Sequence, residues 1–126
     1  MKTFITALNA DEAIEKLISG VESEGMRVVA QINGQANAAR IGKIVAADQL
    51  LGIFRPDFAI RVWAACKEAG IDIPIRIHVY EAEGVTNVAC RMPTEIFAAY
   101  ASEPLMEIAE ELDGIFNNIL GFVPEK

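Results

Sequence analysis

From Ile75 to Tyr80 apolar and polar side chains alternate without exception, Ile75, Ile77 and Val79 against Arg76, His78 and Tyr80. A period of two marks a β-strand with one buried face, so the chain has to build a sheet that is covered on one side. Val85 to Arg91 resumes strand composition after Glu81-Ala82-Glu83-Gly84, and the two runs are expected to form an antiparallel hairpin. Upstream, Leu50 to Phe54 is a short apolar run stopped by Pro56, a residue that cannot donate to a sheet ladder but suits the first turn of a helix. Phe58, Val62, Cys66 and Ala69 then recur at helical spacing, and Gly70 stands where a left-handed C-cap belongs. The spacing predicts strand, helix from about Pro56 to Ala69, then the hairpin.

The rest of the chain supplies the cover. Thr3 to Leu8 reads as a first strand, followed by Asn9 as N-cap and Glu12 as its capping-box partner. Ala13, Ile14, Leu17, Ile18 and Val21 form the apolar stripe of that helix, which Gly25 closes. Met26 to Ile32 alternates as a half-buried strand ended by the turn signal Asn33-Gly34. Residues 35–47 are expected to be a loop holding about one turn of helix. After the hairpin, Thr94 is placed to cap a short helix through Tyr100. Ser102 caps a longer one from about Glu103 to Leu120, with Leu105, Ala109, Leu112, Phe116 and Leu120 on one face and Asp113-Gly114 as a site of bending. The expectation is one α+β domain over residues 1–126: an antiparallel or mixed sheet with helices on one face, in the order β-α-β, loop, β-α-β-β, helix.

Composition narrows the function. Eleven basic against 18 acidic residues give a net charge of −7 with no Lys/Arg cluster, so binding to DNA or RNA has no electrostatic source. Hydrophobic residues make up 52% of the chain, a surplus that is expected to enter an interface with a second copy. The N-terminus shows no apolar segment with a cleavage site, and no run approaches the length of a membrane span. A cytoplasmic location with Cys66 and Cys90 reduced is expected, and their wide spacing fits neither a metal knuckle nor a redox pair. Glycines are scattered rather than gathered in a phosphate loop. No cofactor is expected, and no His/Cys metal cluster; a carboxylate-only site for a hard cation is the one metal chemistry weighed beside that.

His78, the lone histidine, shares a strand face with Arg76 and Tyr80. If the hairpin loop holds three residues, Ala82 to Gly84, His78 stands across from Val88 with Cys90 on its face, and Cys90 beside His78 and Arg76 is a candidate activated thiolate. A two-residue loop takes the cysteine off that face. The plainer reading is a polar sheet face meeting solvent or a second subunit. Cys66 is read as core. Trp63, one position off its helix stripe, fits the core and an interface equally. Arg55 and Arg61, near the start of the central helix, are the candidate anion ligands beside Tyr80, although Asp57 opposes that role and favours a solvated turn.

The opening helix and strand, the Ala-rich segment Ala36 to Gly42, the turn Leu50-Leu51-Gly52-Ile53-Phe54-Arg55-Pro56 and the segment Ile73-Pro74-Ile75-Arg76-Ile77-His78-Val79-Tyr80-Glu81 together give the chain a resemblance to the domain-of-unknown-function 302 family over nearly its whole length. The resemblance implies an α+β fold like that of the TATA-box-binding protein and a homodimer, and it implies no activity. The leading expectation is a homodimeric, non-catalytic module that binds a small molecule or a protein partner. The alternatives are a thiol-dependent enzyme or carrier on Cys90, His78 and Arg76, and a purely structural subunit.

Overall fold

A computed structural model describes residues 1–126. Five strands, β1 (Lys2–Thr6), β2 (Arg27–Asn33), β3 (Asp48–Phe54), β4 (Ile75–Ala82) and β5 (Val85–Cys90), form one antiparallel sheet in the order β1-β5-β4-β3-β2. Helices α1 (Ala10–Ser23), α3 (Pro56–Ala65) and α5 (Glu103–Leu120) cover one face, while α2 (Gly34–Ala39) and α4 (Pro93–Phe97) are short connectors. No helix is long and apolar enough to cross a membrane.

The local chemistry explains most boundaries. Asn9 accepts from the Glu12 backbone while the Glu12 carboxylate accepts from the Asn9 N–H, which closes the expected capping box of α1. Gly25 turns the chain out of α1 at φ +67°, a left-handed value that favours glycine. Ser102 caps α5, which runs unbroken through Asp113-Gly114. Asn33-Gly34 ends β2 by a different device than a hairpin turn: the Asn33 side chain accepts from the Ala36 N–H and caps α2.

Two expectations are corrected. The central helix stops at Ala65 rather than Ala69, because Cys66 is extended at φ −160° and residues 67–72 continue as a 3₁₀ turn. Gly70 lies inside that turn and serves as a flat seat for Trp63: a Cβ there would lie 3.1 Å from the indole nitrogen. Trp63 stays outside the core, and Lys67 stacks its ammonium over the ring. Thr94 does not cap the short helix. It donates its hydroxyl to Asp113 of α5 at 2.7 Å and its N–H to the same carboxylate, so the pair ties α4 to α5.

The core is the apolar space between the sheet and α1, α3 and α5, and it includes Leu51, Ile53, Ile77, Val79, Leu17, Leu105 and Phe116. Gly20 brings α1 against the C-terminal end of α5, where a Cβ would lie 3.0 Å from the Ile119 carbonyl oxygen and 3.0 Å from the Phe122 ring. Alanine is favoured over glycine in a helix by about 1 kcal/mol, but a methyl pressed onto backbone costs about 1–3 kcal/mol. Gly20→Ala is therefore expected to lower the urea midpoint, whereas Gly114→Ala, with open space around it, raises it.

Candidate functional site

The period-two pattern of β4 leaves Arg76, His78 and Tyr80 on the sheet face opposite α1, α3 and α5, with Ile75, Ile77 and Val79 buried behind them. The register extends that face in both directions. His78 lies opposite Leu50 of β3 and Ala89 of β5, and Tyr80 lies opposite Asp48 and Asn87. His78 Nε2 donates to Asp48 Oδ1 at 2.9 Å, and its ring stacks on Tyr80 with centroids 4.6 Å apart. Together these side chains floor a cleft of about 790 Å³ whose walls include Ile32, Leu50, Asp72, Ala89, Arg91 and Ile96. Asp72 is held at the rim by a hydrogen bond from the Tyr100 hydroxyl, and that bond, with burial, pushes the Tyr100 pKa up to about 12.

Of the residues singled out in the sequence, Arg76, His78 and Tyr80 come together in the cleft. Cys90 does not. The hairpin turns on two residues, Glu83 and Gly84, both at positive φ, and pairs Ala82 with Val85. The three-residue loop that would have set Cys90 beside His78 is replaced, and parity carries the thiol through the sheet to the core face, where it is 1% exposed. Burial, and then the charges of Glu95 and Asp113, push its pKa up to about 12. Arg55 and Arg61 are also elsewhere, on the helix side. Arg55 binds Asp57 and the Glu24 carbonyl, Arg61 binds Glu111, and both guanidinium groups lie over the Phe58 ring. The Arg55 bond holds the Asp57 carboxyl below its usual range. Cys66, read as core, is only half-buried, its thiol 3.4 Å from Glu68.

Asp48, Asp72 and Arg91 escaped the sequence reading. Asp48 opens β3 at the end of the least patterned segment, and only the pairing of β3 with β4 brings it to His78. The two-residue turn at Glu83-Gly84, weighed in the sequence as the alternative register, is the signal that puts Arg91 on the Arg76 face; glutamate is an uncommon occupant of a positive-φ turn position, so the sequence did not favour it.

The family model described as "Domain of unknown function DUF302" matches residues 2–121. Among solved structures, the chain is similar to the crystal structure of an uncharacterized conserved DUF302 protein from Bacillus stearothermophilus. The two share 22% sequence identity and a TM-score of 0.88, over 98% of this chain and 97% of that chain. At that identity the likeness shows the fold. None of the curated proteins compared with the chain matches it.

The thiols are expected to differ sharply. With a pKa of about 12, about one Cys90 in ten thousand is ionised at pH 8, so iodoacetamide labels Cys66 and leaves Cys90 unmodified in the native protein, as read by peptide mass spectrometry. Because the folded pKa of Cys90 is raised from 9.0, its stabilising contribution is complete below pH 9 and is lost as pH rises toward 12, at no more than about 1.4 kcal/mol per pH unit. Cys90→Ala lowers stability overall by leaving a small void but flattens the fall between pH 9 and 10, measured by urea titrations across that range.

Proposed function

This chain belongs to the DUF302 family, and from that premise we propose that it is a non-catalytic, homodimeric ligand-binding module of the cytoplasm whose binding surface is the sheet face opposite α1, α3 and α5. One observation carries the reading: the central strand presents Arg76, His78 and Tyr80 into a cleft of about 790 Å³, within the range of about 300–1,000 Å³ that small-molecule sites occupy. Its lining combines apolar side chains such as Leu50 and Ala89 with a few convergent polar groups, the mixture that supplies affinity from burial and orientation from hydrogen bonds. The thiol-enzyme alternative has lost its geometry, since Cys90 and His78 lie on opposite faces of the sheet.

The dimer rests on a second observation. The β1 edge is capped in part by the C-terminus, where the Lys126 N–H donates to the Ile5 carbonyl at 2.8 Å. The β2 edge has no such cover, and Val29 and Ile32 on it are half-exposed. In the segment after α2, which links β2 to β3 in the chain, Ile41 is 76% exposed and Ile44 fully so. An open strand edge and exposed isoleucines are surfaces that favour pairing, and a second copy would cover them.

Native mass spectrometry on protein purified gently from its own host is expected to give a dimer carrying a small additional mass. The His78→Ala, Tyr80→Ala double variant is expected to keep the dimer and lose the added mass; a bare dimer from the unaltered chain would overturn the ligand-binding reading. Ile44→Asp is expected to sediment as a monomer at micromolar concentration with unchanged circular dichroism. A monomer from the unaltered chain would overturn the dimer.

A further inference from the structure

Two arginines in the cleft are left without partners. The β4–β5 ladder pairs Ile77 with Cys90 and His78 with Ala89; continued by one residue, it sets Arg76 across from Arg91, and both line the cleft. Like charges directly opposite on a sheet are destabilising. The chain offers carboxylates in plenty, 18 in all, yet neither guanidinium takes part in an ion pair. The nearby acids are engaged otherwise. Asp48 holds His78, Asp72 accepts from Tyr100, and Glu95 takes the N-terminal ammonium at 2.7 Å while feeling Arg91 only at longer range. Arg55 and Arg61 on the helix side show the contrast, each closed by its own carboxylate.

Resting on the reading of the cleft as a ligand site, we propose that its ligand is an aromatic oxyanion: a carboxylate or phosphate clamped between Arg76 and Arg91, on a planar ring set against the Tyr80–His78 stack. Each guanidinium presents five N–H donors in a planar fork that matches two oxygens of such a group, so one ligand anion removes the repulsion and satisfies both side chains. Arg76, His78 and Tyr80 are successive same-face residues of β4. Such residues are spaced by roughly 6.6–7 Å along a strand, which suits a ring bonded directly to its anionic group. Leu50 and Ala89 flank His78 in register and give the ring an apolar floor.

Isothermal titration calorimetry with benzoate, phenyl phosphate, neutral benzamide and inorganic phosphate, alongside heteronuclear NMR of the histidine and tyrosine rings, tests this. At least one aromatic anion is expected to bind with movement of the His78 and Tyr80 signals, with benzamide and inorganic phosphate each at least about tenfold weaker. The preferred one of benzoate and phenyl phosphate tells carboxylate from phosphate. Arg76→Gln and Arg91→Gln are each expected to weaken that anion by about tenfold or more. Both are expected to raise the Tm of the unliganded protein. Benzamide binding as tightly as the anions would overturn the anion assignment and leave the cleft reading standing, and inorganic phosphate binding as tightly would overturn the ring. A lowered Tm in both variants would overturn the repulsion on which the argument starts. Silence of all four probes in both measurements would overturn the aromatic-oxyanion assignment, while the cleft reading itself is decided by the mass retained in native mass spectrometry.

Discussion

The structure depends on the burial of one face of β4. Ile75, Ile77 and Val79 are at most 3% exposed, and side chains of that size contribute about 1.5–3 kcal/mol each when fully withdrawn from water. β4 is the middle strand, bonded on both sides, so its backbone is satisfied within the sheet and its parity is imposed on β3 and β5. Once those three side chains face α1, α3 and α5, the positions between them have to face the other way. The cleft is thus a by-product of the core: Arg76, His78 and Tyr80 are held in line by residues that never touch a ligand. A site on the middle strand of a sheet is positioned more rigidly than one on a loop.

The hairpin turn decides which chemistry reaches that face. Glu83 and Gly84 both adopt positive φ, the conformation whose twist suits a two-residue connection. One more residue in the loop would shift β5 by one position against β4 and exchange its faces. Cys90 would then stand in the open and Ala89 in the core, at the loss of a buried position well suited to a small apolar thiol. The observed register instead buries the nucleophile and opposes two arginines. Glycine at the second turn position carries part of this choice at no steric cost, and Glu83 bears the rest as modest strain.

Local signals in this sequence were reliable where one residue sufficed to set a boundary. Asn9 with Glu12, Ser102 and Pro56 each announced a helix start that the structure contains, and the alternation of residues 75–80 announced the one-sided sheet. Signals that depend on a competing tertiary partner misled. Gly70 has the look of a C-cap, but Trp63 uses the bare backbone as a seat. Thr94 has the look of an N-cap, but Asp113 claims both of its donors. Half of the site was legible for the same reason: parity within β4 named Arg76, His78 and Tyr80, whereas Asp48 reaches the cleft through the pairing of β3 with β4, Asp72 from the 3₁₀ turn that Tyr100 holds, and Arg91 through the register of the hairpin. Arg55 and Arg61 looked free because their carboxylate partners and the Phe58 ring beneath them are recognisable only in three dimensions.

The charge distribution completes the argument from fold to function. A chain of net charge −7 repels anions over most of its surface, so an anion-binding spot has to be local. On the helix side, pairing with Asp57 and Glu111 neutralises the arginines where they lie. In the cleft the acids are hydrogen-bonded to His78, Tyr100 and the N-terminus, and Arg76 and Arg91 take part in no ion pair. The proposed anion site is confined to Arg76 and Arg91, whose attraction for a ligand is strengthened by the low-dielectric sheet behind them. On the proposed reading, selectivity is set by the local pair of arginines rather than by the sign of the whole molecule.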